Sequence, residues 1–228
     1  LFFFFFLNGN GLFKERKRSG FDRRLLKALL SLHFDKRKEL IMPNVYFLRH
    51  SIRDTTVKHE MAPLSKKGKV LAENLVPYFL NQEIQHIFAS PFQRTIDTVK
   101  PTANALKQSI NLRDGLTERR VGHWVADFDA YAKQQWEDFD YKLAEGESLN
   151  DVKSRIVPTF NEILSSTAGD CIICGHGTAF SVLFYELTKG QFGYDQFQTL
   201  TMPDVFIGKF DHQHQLIQFE NQKLHLLF

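Results

Sequence analysis

Cysteine is nearly absent from this chain of 228 residues, which holds two, together with two tryptophans and three methionines. Two thiols cannot build the disulfide framework on which small secreted domains depend. Cys171 and Cys174 stand three apart in CIIC, an apolar run that reads as a strand. Their side chains therefore leave on opposite faces and do not bridge each other. They are expected to be buried, reduced thiols of a cytoplasmic protein, because a redox C-x-x-C wants a helix start that this run does not offer. Also missing is an apolar stretch of the roughly eighteen residues that a membrane span needs. The opening LFFFFFL is too short, has no basic segment before it and no small-residue cleavage site after it, and is not read as a signal peptide.

A strong charge of one sign is lacking as well. The net charge of +3 divides unevenly: residues 1–41 carry ten Lys/Arg against four Asp/Glu, which leaves 19 against 22 of the totals of 29 and 26 for residues 42–228. The body of the protein is mildly acidic, so the basic balance is no sign of nucleic-acid binding. In the basic segment Leu25, Leu26, Leu29, Leu30 and Leu32 cluster among Lys and Arg, a pattern that could make an amphipathic helix for an anionic membrane. The chain does not begin with Met, whereas Met42 stands just before the first strong strand, VYFLRH. The expectation is therefore an N-terminal extension at 1–41, disordered or read from a mis-called start and without membrane contact, and one domain at 42–228. With 43% apolar residues overall there is enough to bury a core.

From Met42 onward strand and helix patterns alternate. VYFLRH is apolar on both parities, as in a strand covered on both faces. A helix is predicted over about 65–81, with Val70, Leu71, Leu75, Phe79 and Leu80 as its stripe, then a strand HIFAS at 86–90. Ser90-Pro91 reads as an N-cap followed by proline at the first helical position, opening a helix that carries Ile96, Val99, Ala103 and Leu106 and is kinked by Pro101. INL at 110–112 reads as another strand, and a helix is expected near 127–136. Ser148 and Asp151 begin a long helix on which Val152, Ile156, Phe160 and Ile163 line up. The strand CIIC, the turn GHGT and a helix to Leu187 follow, and 205–210 with 215–219 form a terminal hairpin. This alternation predicts a three-layer α/β/α fold with a mostly parallel central sheet.

Two of the buried strands end alike, VYFLRH at His50 and CIICGH at His176. In open α/β sheets ligands sit beyond the carboxyl ends of the strands, so the two imidazoles can converge. Arg49 and Arg53 flank His50, and Arg94 lies in the first turn of the helix after Ser90-Pro91, where free backbone N–H groups also face outward. Three guanidiniums and a helix N-terminus suit a phosphoryl dianion, which Arg holds bidentately.

The segments LRHSIRD, SPFQRTIDT, TERRVGHW, GESLNDVKSRIVP and ICGHGTAF, in this order across about residues 44–182, resemble the histidine phosphatase superfamily, the phosphoglycerate mutase-like proteins. The resemblance implies a phosphoglycerate mutase-like catalytic domain and a phosphatase of the histidine acid phosphatase type, with no cofactor and no metal. It makes His50 the nucleophile that becomes phosphohistidine, Arg49 and Arg94 the clamps on the phosphoryl oxygens, and His176 a second imidazole at the transferring group. Arg53 matches an additional phosphate-contacting Arg of some branches, and Glu118 falls where the family keeps its proton donor to the leaving oxygen. Glu60, Asp54 and Glu147 are alternative donors. Ser51 departs from the family's usual Gly after the His and is expected to narrow the phosphate entrance or add a hydroxyl to it; the Gly after His176 is kept as Gly177.

The same family holds cofactor-dependent phosphoglycerate mutases, which carry a longer insertion between the acid-bearing loop and the helix near Ser148. Only 28 residues separate Glu118 from Glu147, so hydrolysis of a small phosphorylated substrate is expected over mutase chemistry. A non-catalytic phosphate-binding module is the third alternative, disfavoured because both His50 and Glu118 are present. His123, Trp124, Trp136 and Phe139 are candidates either for the cover of the pocket or for core, and a homodimer is compatible with the sequence.

Overall fold

The computed structural model describes residues 43–211 and 213–224; the basic amphipathic segment foreseen within 1–41 lies outside them. Alternating side chains decide the architecture. On β1 (Asn44–Arg49), Val45 and Phe47 enter one core while Tyr46 and Leu48 enter another. On β4 (Asp170–Gly175), Cys171 and Ile173 join the first and Ile172 and Cys174 the second. Both strands are thus covered on two faces, which is why they read as continuous apolar runs. The two thiols lie on opposite faces and are free, as the strand period required.

The sheet has six strands in the order β3-β2-β4-β1-β5-β6. Strands β2 (Ile84–Ala89), β3 (Ile110–Leu112), β4 and β1 run parallel, and the antiparallel hairpin of β5 (Asp204–Phe210) and β6 (Leu216–Asn221) closes one edge. One face is covered by α5 (Leu149–Ser166) and α6 (Gly177–Leu187), the other by α1 (Lys66–Asn74), α2 (Val76–Leu80) and α3 (Gln93–Leu106). The remaining helices are α4 (Phe128–Glu137) and the short α7 (Tyr194–Gln198). A three-layer α/β/α fold with a mostly parallel sheet results. None of the described helices is long and apolar enough to cross a membrane.

Phenylalanines hold the hairpin onto the sheet. Phe184 of α6 stacks within 5.1 Å of Phe47 and 4.7 Å of Phe219, and Phe206 lies 5.3 Å from Phe219. Each such pair adds about 0.5–1.5 kcal/mol beyond its buried area.

Three local expectations need correction. The helix over 65–81 is two helices: Pro77 offers no N–H to the turn before it, so α1 stops at Asn74 and α2 starts afresh. Leu75 and Phe79 of the expected stripe are buried, but Val70 and Leu80 are exposed, and Gly68 and Ala72 complete the buried face. Ser90 is not the cap of α3, whose N-cap is Phe92. By contrast α3 runs unbroken through Pro101, and α5 begins with the foreseen box, Ser148 Oγ accepting from Asp151 N–H and the Asp151 carboxylate from Ser148 N–H.

Candidate active site

Strand register brings the site together. Leu48 and Ala89 both pair with Cys174, and Arg49 pairs with Gly175, so β1, β2 and β4 end level. His50 N–H donates to the Gly175 carbonyl and Ser90 N–H to the Cys174 carbonyl, each 3.0 Å. His50, Ser90 and His176 therefore leave three adjacent strands at one height. The His50 and His176 rings meet edge to face with centroids 5.2 Å apart.

The tautomer of His50 follows from its neighbours. Its Nδ1 lies 2.7 Å from the Ser51 carbonyl, which can only accept, so Nδ1 carries the proton and Nε2 holds a lone pair. That lone pair accepts from Arg94 Nε at 3.2 Å. Burial, then the charge of Arg94, push the His50 pKa down to about 3, with smaller contributions in the same direction from Arg49 and Arg53. The imidazole is neutral across the physiological range. His176 is wholly buried behind it, outside the wall of the cleft. Its Nε2 is 2.9 Å from the Ser90 hydroxyl and its Nδ1 has no partner; burial and then His50 hold it well below the usual histidine range.

A cleft of about 490 Å³ opens over His50, lined among others by Arg49, Arg53, Arg94, Arg119, Arg120, Glu60 and Glu118. Five guanidiniums face two carboxylates, so the cleft is built for an anion. Arg49 reaches it from the end of β1 and is braced by the Leu200 and Thr201 carbonyls at 3.0 and 3.2 Å. Arg94 comes from the first turn of α3, stacks its guanidinium 4.9 Å over Phe92 and donates Nη1 to the Glu60 carbonyl. Burial lowers the pKa of both, and Glu118 is the first counterweight in each case.

Glu118 sits in the cleft wall on the N-terminus of α6, accepting from Thr178 N–H at 3.2 Å, Ala179 N–H at 3.1 Å and Arg119 N–H at 2.7 Å. The helix-end donors nearest His50 are thus engaged by a carboxylate of the chain itself. Its loop is tied down by Arg155 of α5, which donates to the Gly115, Thr117 and Glu118 carbonyls and grips Glu147 through both carboxylate oxygens at 2.9 and 3.0 Å. That pairing takes Glu147 out of the running as a proton donor. Asp54 is also excluded, since its carboxylate accepts from Thr56 N–H and Oγ1 in a surface turn. Glu60 remains at the rim.

Two of the expected contacts are corrected. The Ser51 hydroxyl donates to the Gly68 carbonyl at 2.8 Å and its N–H to Thr98 Oγ1 at 2.9 Å, so it ties β1 to α1 and α3 and does not enter the cleft. Gly177 does not line the cleft either: a Cβ there would come within 2.9 Å of the Arg49 guanidinium carbon. Its bareness lets Arg49 pass.

Of the four aromatic or imidazole candidates near the acid loop, His123 and Trp124 line a chamber beside the cleft, while Trp136 and Phe139 pack together and onto Tyr185 against the main core. Sequence reasoning missed Arg119, a buried member of the wall caged by Phe128 and Tyr131 and hydrogen-bonded to Gln135. Adjacency to Glu118 in TERR was the only signal for it. It also missed Phe92, whose ring faces both His176 and Arg94.

Comparison with curated protein sequences returns no match. Among solved structures, the mycobacterial glucosyl-3-phosphoglycerate phosphatase superposes with a TM-score of 0.62 at 20% identity, over 80% of this chain and 98% of that one. A phosphoserine phosphatase from Entamoeba histolytica, solved with 3-phosphoglyceric acid, gives 0.65 at 18% identity over 81% of this chain and all of the other. Bacillus stearothermophilus YhfR gives 0.63 at 21%, over 76% and 94%. These likenesses establish a shared fold. The family model of branch 1 matches residues 45–223, and on that match the chain belongs to the histidine phosphatase superfamily.

Proposed function

We propose that residues 42–228 form a phosphomonoester hydrolase that works without a metal through a phosphohistidine on His50 and acts on a small phosphorylated metabolite. The observation that carries this is the state of His50: buried, neutral, with Nδ1–H fixed on the Ser51 carbonyl and the Nε2 lone pair turned toward the guanidinium of Arg94. Such a group is a ready nucleophile, whereas a phosphate-binding module needs no histidine kept neutral by its surroundings.

In the first step Nε2 attacks phosphorus and the ester P–O bond breaks, while the leaving oxygen takes a proton from Glu118. Arg94 Nε gives up its bond to Nε2 and, with Arg49 and Arg53, holds the phosphoryl oxygens. The Nδ1–H bond to Ser51 spreads the charge that the imidazole acquires. In the second step water attacks phosphorus, its proton passes to the Glu118 carboxylate, the P–N bond breaks and His50 returns to its starting form. Transfer through a loose transition state asks mainly for positioning and charge stabilisation, which these guanidiniums supply. His176 fixes the place of the His50 ring by edge contact.

Phosphatases of this fold with small phosphorylated substrates, the glucosyl-3-phosphoglycerate and phosphoserine enzymes, support hydrolysis. So does the short stretch between Glu118 and Glu147, which leaves the phosphohistidine open to water. The test is hydrolysis of an aryl phosphate in the presence of a chelator by wild type and His50→Ala. Full activity with chelator, a loss of at least about a thousandfold in the variant and a ³²P label on wild type alone are expected. Activity that persists in His50→Ala, or that vanishes with chelator, overturns the mechanism.

A further inference from the structure

Beside the phosphate cleft lies a second chamber of about 710 Å³. The two share Arg53, Glu60, Val121 and Phe128 as a common wall, so a molecule whose phosphoryl group rests at His50 extends directly into it. Its other walls include Val57, Val125 and Trp124. Trp124 is 83% exposed, whereas the other tryptophan, Trp136, is packed against the main core. An indole in that wall offers a broad apolar face to a group bound beside it.

Trp124 is held there by the backbone. Gly122 adopts φ 93°, and a Cβ on it would come within 2.3 Å of the Ala144 carbonyl oxygen; a Cβ on Gly146 would come within 2.6 Å of the Val121 carbonyl oxygen. The acid-bearing loop and the 144–146 segment therefore lie backbone to backbone, and Trp124 is presented outward from a pinned strand of chain. Glu118 lies four residues before Gly122 on the same loop. A leaving oxygen that takes its proton from Glu118 has the rest of its group beside Val121 and Phe128, at the mouth of the chamber.

We infer that this chamber receives the leaving group of the phosphomonoester and selects an apolar one, an alkyl chain or an aryl ring. The inference rests on the phosphatase reading above. Lys58, His59 and His123 at the same chamber would instead favour a carboxylate-bearing leaving group, and that alternative is an outcome of the test.

Primary alkyl phosphates from ethyl to hexyl have leaving groups of nearly constant basicity, so their kcat/KM values report binding of the chain. Burial of each added methylene in a chamber open on one side raises kcat/KM about threefold, or about 80-fold from ethyl to hexyl. In Trp124→Ala the hexyl-to-ethyl ratio falls below about ten, and Val57→Ser lowers it as well. A flat or falling series overturns the inference, as does a wild-type preference for phosphoserine over hexyl phosphate. A ratio unchanged in Trp124→Ala overturns the assignment to this chamber. If no ester at all is turned over, the phosphatase reading fails and takes the inference with it; turnover with a flat series sinks the inference alone.

Discussion

Arg155 of α5 joins the loop that carries Glu118 to the helix, and replacing it by Leu separates two functions of the site. Its guanidinium makes five hydrogen bonds, two to Glu147 and one each to the carbonyls of Gly115, Thr117 and Glu118. Breaking a fully buried ion pair by removing one partner costs about 3–5 kcal/mol. Here the side chains are 21% and 17% exposed, so water screens part of the charge and about 2–3 kcal/mol is the expected loss. For a domain of this size that lowers Tm by roughly 5–10 °C, measurable by circular dichroism. The catalytic effect falls on the loop that carries Glu118, Arg119 and Arg120, because Arg49 hangs from β1 and Arg94 from α3. A displacement of about 1 Å in the acid costs on the order of a hundredfold in kcat, while the inhibition constant of inorganic phosphate stays within about threefold. Adding Glu147→Gln to Arg155→Leu removes the stranded charge and restores part of the stability but none of the kcat. An Arg155→Leu variant that melts like wild type, or that loses phosphate affinity in step with kcat, refutes this account of the loop.

His50 also makes stability depend on pH. Its folded pKa of about 3 lies below the 6.5 of an unperturbed histidine, so the unfolded chain takes up the proton first as pH falls. The contribution of neutral His50 is complete above pH 6.5 and is lost by about 1.4 kcal/mol per unit between there and pH 3. His50→Gln should therefore show a shallower acid decline in urea melts than wild type; parallel curves would contradict the buried neutral state. Ser51→Ala removes the second of two bonds to the helical Gly68 carbonyl and costs about 0.5–1.5 kcal/mol with kcat/KM within about threefold, whereas a large rise in KM would put the hydroxyl back in the cleft. Gly177→Ala pushes into the Arg49 guanidinium and should weaken phosphate inhibition by tenfold or more; unchanged inhibition would show that Arg49 has room to spare. Both thiols are buried, which pushes Cys171 up to about 12 and Cys174 higher still, so neither should react with a thiol reagent at pH 8 until the protein unfolds.

The local amino-acid pattern by itself determined the layers and the end of the sheet at which the cleft opens. Short apolar runs on both parities fit strands covered twice, and a histidine just past such a run is carried to the same rim as any other, which made His50 and His176 legible as a pair. The Ser148 capping box and the stripe from Val152 to Ile163 were likewise local and readable. Pro77 marks the break between α1 and α2, but the apolar spacing around it continues across the break and hides it.

Only the tertiary structure decided what each polar group does once it arrives. Ser51 stands next to His50 in sequence but spends its hydroxyl on Gly68, and Gly177 serves Arg49 instead of a ligand. Glu147 is bound to Arg155, while Glu118 meets an α6 terminus sixty residues away. Arg119 becomes part of the cleft because Phe128, Tyr131 and Gln135 of α4 enclose it. A hydrogen bond or ion pair depends on a few ångströms between residues distant in the chain, and spacing along the sequence carries no such distance. Strand and helix periods repeat within a few residues, and those the sequence states directly.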